Sequence, residues 1–332
     1  MENIVVMGGG TGTFVVLSGI KDFEDFAITA VVSSADSGGS TGVLRDEFGQ
    51  LPVGDIRQCL VALSPQISNG KSHITRELFQ YRFDRGNGLK GHSFGNLFLT
   101  ALTEILGSEL LAIQKAAEIL NIKGKVLPVT TDDVTLVAKY VDGSIGFGEE
   151  MIDSVSYSKD NENLKIEELS VQPRSEILSE TKDAISNSNY LILGPGDLYT
   201  SIIANLVVDG VSEVICDSDI KIIYFVNLFT KHGQTTNYKA SDHVSDIEKY
   251  LKKKVDYIVI NSSEIPRDVI VRYYDEEHVI PVMDDLMDDD RVVRADLVSS
   301  TLSSQSDADR VKRSVVRHDS VKVGKVIRSL IS

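Results

Sequence analysis

Residues 2–32 read ENIVVMGGGTGTFVVLSGIKDFEDFAITAVV and decide the fold of this 332-residue chain. The apolar run Asn3–Met7 ends at three glycines, Thr13–Ile20 is typical of a helix, and Ala27–Val32 is a second apolar run. Unbroken runs of Val and Ile are typical of strands that a parallel sheet buries on both faces. Strand, glycine turn, helix and strand within about thirty residues therefore predict a parallel βαβ unit.

The same alternation returns in the second half of the chain. Further strands are predicted at Tyr190–Leu193, Lys221–Val226 and Val255–Ile260, and a last helix at Val321–Leu330. The intervening residues, about 125–171, contain three short β-rich pieces, Val126–Val129, Val134–Tyr140 and Ile145–Gly148. We therefore expect one α/β domain over residues 1–332, with a mostly parallel sheet and a small inserted antiparallel excursion.

Charge and composition exclude several classes of protein. The chain has 34 basic and 49 acidic side chains, a formal charge of −15, which argues against a nucleic-acid binder that must neutralise phosphates. No window approaches the apolar length of a membrane span, and the chain starts directly with a strand, so we expect a cytoplasmic protein without membrane insertion. Cys59 and Cys216 stand 157 residues apart with no CxxC pairing, which excludes a disulfide framework and a cysteine-based zinc site. Their apolar surroundings predict that both are buried.

The first glycine turn is a candidate phosphate site. Glycines between a strand and a helix let backbone N–H groups approach a phosphate at the positive end of the helix. We therefore expect phosphate contacts from the turn residues, which are Gly9, Gly10, Thr11 and Gly12. Val15 stands where a third dinucleotide-binding glycine belongs, and no acidic residue ends the second strand, so an ordinary NAD dehydrogenase is disfavoured. A purely structural turn is the alternative.

Residues 33–42, SSADSGGSTG, follow the second strand, where open α/β sheets place their ligands. Small hydroxyl residues and glycines offer donors with little bulk, which makes Asp36, Ser37, Gly38 and Gly39 candidate ligand contacts. Asp36 and Asp55 are candidates to hold Mg²⁺ between phosphates, because carboxylate oxygens suit that ion. Arg45 and Arg57 are candidates to pair with the phosphates. A flexible surface linker is the other interpretation of this stretch.

Three further segments carry polar candidates. In Gly91–Asn96, either Ser93 or Asn96 caps the following helix, or His92 or Asn96 contacts a ligand. The turn residues Gly194, Gly196 and Asp197 repeat the strand–glycine–helix pattern and form a second candidate wall. Asp319 is expected to cap the last helix, and the acidic tract Asp284–Asp290 is expected to be a solvated loop.

Five of these segments together resemble one family. They are GGGTGTF, SSADSGGSTGVLRDEFGQLPVGDIRQCLVAL, GHSFGNLFLTAL, LGPGDLYTSIIANLVVDG and VRHD. The chain resembles the gluconeogenesis factor family (YvcK type), a sibling of the 2-phospho-L-lactate transferases of coenzyme F420 synthesis (CofD type), over residues 2–330. The resemblance implies a Rossmann-like three-layer sandwich in a cytoplasmic bacterial protein. It also implies a role in cell shape and in growth on gluconeogenic carbon sources.

The resemblance implies a ligand and an alternative activity. The ligand is a UDP-sugar such as UDP-N-acetylglucosamine, contacted by Arg317 and Tyr274, and NAD or another dinucleotide can occupy the same site. The alternative is a Mg²⁺-dependent transferase acting on a nucleotide-diphosphate-linked donor, with Asp36 and Asp55 in the metal positions. Some members are phosphorylated on a threonine after RHD, which places a kinase site at Ser320. The sequence leaves open whether any reaction is catalysed and whether the chain forms a homo-oligomer.

Overall fold

The structure is a computed structural model. It describes residues 1–35, 39–65, 74–86, 88–155, 164–277, 279–300 and 316–331.

The strands are short and number in chain order as follows: β1 (Glu2–Gly8), β2 (Phe26–Val32), β3 (Lys125–Pro128), β4 (Thr135–Tyr140), β5 (Ile145–Phe147), β6 (Ile166–Gln172), β7 (Tyr190–Leu193), β8 (Lys221–Phe225), β9 (Tyr257–Asn261) and β10 (Val292–Ala295). The helices are α1 (Gly10–Ile20), α2 (Gly39–Phe48), α3 (Gly54–Leu63), α4 (Ile74–Gln80), α5 (Phe94–Leu106), α6 (Glu109–Leu120), α7 (Glu149–Val155), α8 (Ser179–Ser186), α9 (Ala204–Leu206), α10 (Val211–Cys216), α11 (Ala240–Leu251), α12 (Arg267–Glu277) and α13 (Ser320–Ile331). A π-helical turn, Leu198–Ile203, leads into α9.

Seven of these strands form one parallel sheet in the order β10-β9-β8-β7-β1-β2-β3. Every neighbouring pair is parallel, and β1 lies near the middle, paired with β2 on one side and β7 on the other. The prediction of a Rossmann-like, three-layer α/β fold with a mostly parallel sheet is confirmed. The predicted strand Tyr190–Leu193 matches β7 at both ends.

Side chains of β1 alternate between the two faces of the sheet. Ile4 and Val6 enter the core that α1, α3 and α13 cover, whereas Val5 and Met7 enter the core on the opposite face. All four are fully buried. Each such side chain stabilises the fold by about 1.5–3 kcal/mol through its transfer out of water. This two-sided burial is why the strand is an unbroken apolar run.

The inserted region forms a three-stranded antiparallel sheet in the order β5-β4-β6. Its inward side chains, among them Leu136, Ala138 and Leu169, join the same core as Val5 and Met7. The expectation that Val126–Val129 belongs to this excursion is wrong, since β3 pairs in parallel with β2 at the edge of the main sheet. Four residues carry too little periodicity to separate an edge strand from a hairpin strand.

Two helix starts have the expected caps. Ser93 Oγ accepts a hydrogen bond from the Asn96 amide at 3.2 Å, and Asp319 Oδ1 accepts from the amides of Val321 and Lys322. Both arrangements satisfy N–H groups that a helix leaves without an internal partner. The capping alternative is therefore confirmed for Ser93, and the N-cap prediction for Asp319.

The cysteine and acidic-tract expectations have mixed outcomes. Cys59 is buried, but Cys216, the last residue of α10, is exposed, and its Sγ lies 3.3 Å from the Leu251 carbonyl oxygen. In the acidic tract, Asp284 pairs with Arg294 at 2.7 Å and Asp289 with Arg291 at 2.7 Å. Within the described ranges, none of the helices is both long and apolar enough to cross a membrane.

Candidate functional site

The strand order places a crevice between β1 and β7. From β1 the chain proceeds through β2 and β3 toward one edge, whereas from β7 it proceeds through β8, β9 and β10 toward the other. The connections after β1 and β7 therefore diverge to opposite faces of the sheet. In open α/β sheets, ligands bind in the crevice at such a topological switch point, outside the carboxyl ends of the strands.

Both turns that line this crevice are glycine-rich, and they touch. A Cβ atom on Gly12 would lie 1.1 Å from the Pro195 carbonyl oxygen, so only glycine fits there. On the second turn, a Cβ on Gly196 would lie 3.8 Å from the Gly9 carbonyl oxygen. Gly10 has φ +65°, in the left-handed region that glycine tolerates best. The floor of the crevice is therefore polypeptide backbone with almost no side-chain bulk.

The first of these turns is also the N-terminus of α1. Gly9 is the N-cap residue and has no side chain with which to cap the helix. The first amides of an α-helix have no partner inside the helix, and they carry the positive end of its dipole. Gly9, Gly10, Thr11 and Gly12 thus lie together in an arrangement that suits an anion.

The Asp55 carboxylate lies against the same turn. A Cβ on Gly9 would come within 2.3 Å of Asp55 Oδ2, and Gln58 Nε2 lies 3.2 Å from Asp55 Oδ1. Burial, together with the negative charge of Asp55, raises the pKa of the Cys59 thiol well above its usual value. Asp55 thus places negative charge beside the backbone that is suited to a phosphate.

Of the two expected metal ligands, Asp36 and Asp55, the structure describes only Asp55. Asp36, Ser37 and Gly38 lie outside the described residues, and of Gly39 only the backbone is described, at the start of α2. Among the residues that the structure describes, no three acidic, histidine or cysteine side chains come together as a metal centre requires. The metal site predicted from Asp36 and Asp55 therefore stays a prediction.

Asn96 belongs to a buried polar chain that links α3 to α5. Arg57 Nε donates to Asn96 Oδ1 at 2.8 Å, and Asn96 Nδ2 lies 3.4 Å from Ser40 Oγ. Ser40 Oγ lies 3.1 Å from His92 Nδ1. Arg57 is only 8% exposed and also donates to the Phe79 carbonyl at 3.3 Å. These contacts show that Arg57 and Asn96 link α3 to α5.

Arg45 points toward the link between β3 and β4. Its guanidinium pairs with Asp133 and donates to the Val134 carbonyl at 2.7 Å. The side chain is only 11% exposed. The phosphate role expected for Arg45 stays a prediction, and a phosphate would have to share this guanidinium with Asp133.

The second turn, Gly194–Asp197, is fixed by the loop after β8. Asn227 Nδ2 donates to the Gly196 carbonyl at 2.7 Å, and the Gly196 amide donates to Asn227 Oδ1 at 3.3 Å. Asp197 Oδ2 accepts from Lys231 Nζ at 2.5 Å. In the sequence, Asn227 and the polar loop after it directly follow the predicted strand Lys221–Val226, at its carboxyl end.

Lys231 also reaches a residue that the sequence did not point to. Its Nζ lies 2.6 Å from Asp153 Oδ1 on α7, and Gln234 Nε2 donates to the same oxygen at 2.8 Å. Burial raises the pKa of Asp153, although Lys231 partly offsets it. Asp153 lies in a stretch, EEMIDSV, that reads as an ordinary surface helix. No local signal distinguishes it from its acidic neighbours.

The family resemblance implies two further ligand positions, Tyr274 and Arg317. Tyr274 is on α12, which follows β9, and Arg317 is in the segment before α13. Arg317 is half-buried, and its carbonyl accepts from the Ser299 amide at 2.9 Å. Its neighbour His318 is buried and bonds to the Val226 backbone just past β8. Tyr274 is 56% exposed on α12. The ligand roles of Arg317 and Tyr274 stay predictions.

Comparison with known proteins agrees with the motifs. Residues 4–302 match the model of the family described as 2-phospho-L-lactate transferase CofD. The chain belongs to this CofD family. A relative from Thermotoga maritima, named as a gluconeogenesis factor, is 39% identical to this chain, and the alignment covers 98% of both chains. The Bacillus subtilis gluconeogenesis factor is 36% identical over 99% of this chain and 98% of its own.

A solved structure supports the fold of this CofD-family chain. The crystal structure of a Bacillus halodurans protein superposes with a TM-score of 0.85 at 36% sequence identity. The superposition covers 98% of this chain and 99% of that one. The resemblance stated from the motifs is therefore confirmed for the CofD family and for relatives named as gluconeogenesis factors.

Proposed function

We propose that the crevice between β1 and β7 binds the diphosphate of a nucleotide sugar of the UDP-N-acetylglucosamine type. The observation that carries the proposal is the contact between the two glycine turns, where Gly12 meets Pro195 at the topological switch point. Backbone amides at the start of α1 would take the phosphate oxygens. Arg317, at the same sheet edge, would pair with the remaining negative charge of the ligand.

In this proposal the chain is a binding protein that acts in cell shape and in growth on gluconeogenic carbon sources. The names of its relatives, gluconeogenesis factors, support the metabolic part of that role. The phosphorylation proposed at Ser320 would add charge at the N-terminus of α13, where a helix tolerates an anion best.

Calorimetric titration with UDP-N-acetylglucosamine tests the proposal. Loss of a charge-assisted hydrogen bond costs about 1.5–3 kcal/mol, so Arg317→Ala should weaken binding about tenfold to a hundredfold. Arg328→Ala is the matched control, because Arg328 pairs with Asp25 just before β2, at the opposite edge of the sheet. The melting temperatures of both variants should stay close to that of the wild type.

Two results would contradict this assignment in different ways. If Arg317→Ala binds as tightly as the wild type, Arg317 has no role in the site. If the wild-type protein binds no nucleotide sugar at all, the proposed function itself is wrong. Competition between NAD and UDP-N-acetylglucosamine shows whether a dinucleotide uses the same crevice.

The position of Asp55 favours a second candidate, a Mg²⁺-dependent transferase acting on a nucleotide-diphosphate-linked donor. A carboxylate at the glycine turn repels a diphosphate unless a cation lies between them. Mg²⁺ commonly bridges one or two carboxylates and phosphate oxygens in this way. Turnover of such a donor by the purified protein with Mg²⁺, absent without the metal, would favour the transferase over the binding protein.

A further inference from the structure

Lys231 lies at the centre of a polar cluster beside the second glycine turn. We define the Lys231 cluster as Lys231, Asp197, Asp153 and Gln234. The Lys231 ammonium lies 2.5 Å from Asp197 Oδ2 and 2.6 Å from Asp153 Oδ1. Three separate elements therefore meet here, namely the turn after β7, the loop after β8 and helix α7.

Gln234 carries an acceptor that no described residue of the chain uses. The side chain is fully buried, and its Nε2 donates to Asp153 Oδ1 at 2.8 Å. Its Oε1 atom is buried and has no hydrogen-bond partner among the residues that the structure describes. Because Oε1 and Nε2 share one amide carbon, the unpartnered oxygen lies at the Lys231 cluster itself. Buried polar atoms are nearly always paired, so this oxygen is an acceptor that a donor group of a ligand would satisfy.

The charge of the Lys231 cluster limits what that donor can be. Two carboxylates surround one ammonium, so the cluster has a net charge of −1 when all three groups are ionised. Burial alone would lower the pKa of Lys231, but its attraction to Asp197 and Asp153 outweighs burial and raises the pKa. The ammonium thus stays charged and already serves two carboxylates. The net negative charge of the cluster would repel a phosphate group. A neutral hydroxyl or amide group can instead donate a hydrogen bond to Asp197 or to Gln234 Oε1.

The cluster lies directly beside the crevice. Asp197 follows Gly196, whose Cβ position would be 3.8 Å from the Gly9 carbonyl oxygen of the first turn. Asp197 is also the most accessible member of the ion pairs, with 41% of its side chain exposed. A group joined to a diphosphate on the glycine turns would therefore meet Asp197 first.

We propose that the Lys231 cluster is the sugar subsite of the crevice, where Asp197 and Gln234 accept hydrogen bonds from the hydroxyl or amide groups of the ligand's sugar. This inference rests on the proposed function, because it adds a sugar-recognising surface to the diphosphate site. It also assigns an orientation to the ligand. The diphosphate lies at the start of α1, and the sugar extends past Gly196 toward α7.

The test compares two probes, UDP and UDP-N-acetylglucosamine, by calorimetry on the full chain. The ratio of the two affinities isolates the sugar contribution, as in a double-mutant cycle. Asp197→Asn keeps the shape of an accessible side chain and removes its charge, and Gln234→Met removes the unpartnered oxygen at similar volume. Each variant should reduce that ratio about tenfold, the usual effect of losing one hydrogen bond to a charged or buried group.

Asp217→Asn is the matched control. Asp217 is exposed after α10, before the start of β8 and hence at the opposite edge of the sheet, and its variant should leave both affinities unchanged. An unchanged ratio in both Asp197→Asn and Gln234→Met would overturn the sugar subsite while leaving the diphosphate site intact. Failure of the wild type to bind either probe would refute the proposed function, and the subsite with it.

Discussion

Replacing Gly12 by alanine tests whether the two glycine turns really form one unit. The added Cβ would lie 1.1 Å from the Pro195 carbonyl oxygen and 2.3 Å from its carbonyl carbon. Contacts of this kind below 3.0 Å essentially never occur, so one backbone must retreat by about 2 Å. Neither turn is free to do so. Asn227 holds Gly196 through two hydrogen bonds, and α1 packs closely on α13 at Gly19.

The expected penalty follows from those contacts. Overpacking typically costs about 1–3 kcal/mol, and losing the two hydrogen bonds of Asn227 adds about 1 kcal/mol each. We therefore expect Gly12→Ala to lower the free energy of unfolding by about 3 kcal/mol or more and to abolish nucleotide-sugar binding.

Urea unfolding measures the first effect and calorimetric titration the second. The matched control is Gly88→Ala, because a Cβ on Gly88 would meet no described atom within 4 Å. Its free energy of unfolding should stay within about 0.5 kcal/mol of the wild type. If Gly12→Ala unfolds and binds as Gly88→Ala does, the two turns are not in contact and the argument for the crevice fails.

Two further predictions concern stability. Burial lowers the pKa of His243 and of His318 to about 4, so between pH 6.5 and 4 the unfolded chain binds protons that the folded chain does not. The free energy of unfolding should therefore fall as pH falls through that window, by about 2 kcal/mol per histidine at pH 5. Urea unfolding of His243→Gln should show a correspondingly smaller loss of stability between pH 7 and pH 5 than the wild type. An equal loss would contradict the low pKa assigned to His243. Asp319→Ala removes the cap of α13 and should lower the free energy of unfolding by about 1 kcal/mol, measured in the same way, and no loss would show that the cap contributes nothing.

The fold and the crevice floor were predictable because their signals are local in the sequence. A strand must be apolar where both of its faces are buried, and residues 4–7 of β1, 30–32 of β2 and 191–193 of β7 are. Glycine is required where backbones approach closely, and Gly12 stands where the two turns meet. Local signals of this kind survive in a single sequence because no partner element is needed to read them.

The rest of the candidate site depends on packing between distant segments. Asp153, Asp197 and Lys231 meet only because α7, β7 and β8 place them at one edge, and nothing in their spacing encodes that meeting. Arg57 also illustrates the limit. A Cβ on Gly95 would lie 2.7 Å from Arg57 Cδ, so α5 packs directly over this arginine and directs it to Asn96. A basic residue near a glycine-rich motif therefore need not face the ligand.

In the proposed function, a chain with a net charge of −15 would have to hold a diphosphate. The arginines nearest to the motif are already engaged, Arg45 with Asp133 and Arg57 with Asn96. The positive potential in the crevice must then come mainly from the amides at the start of α1. At contact distance, acidic side chains elsewhere on the surface weaken this potential little. The Asp55 carboxylate, on α3, lies against that turn and opposes this potential. We therefore expect diphosphate affinity to rise when a divalent cation is added, and to depend more on the geometry of the glycine turns than on the overall charge of the protein.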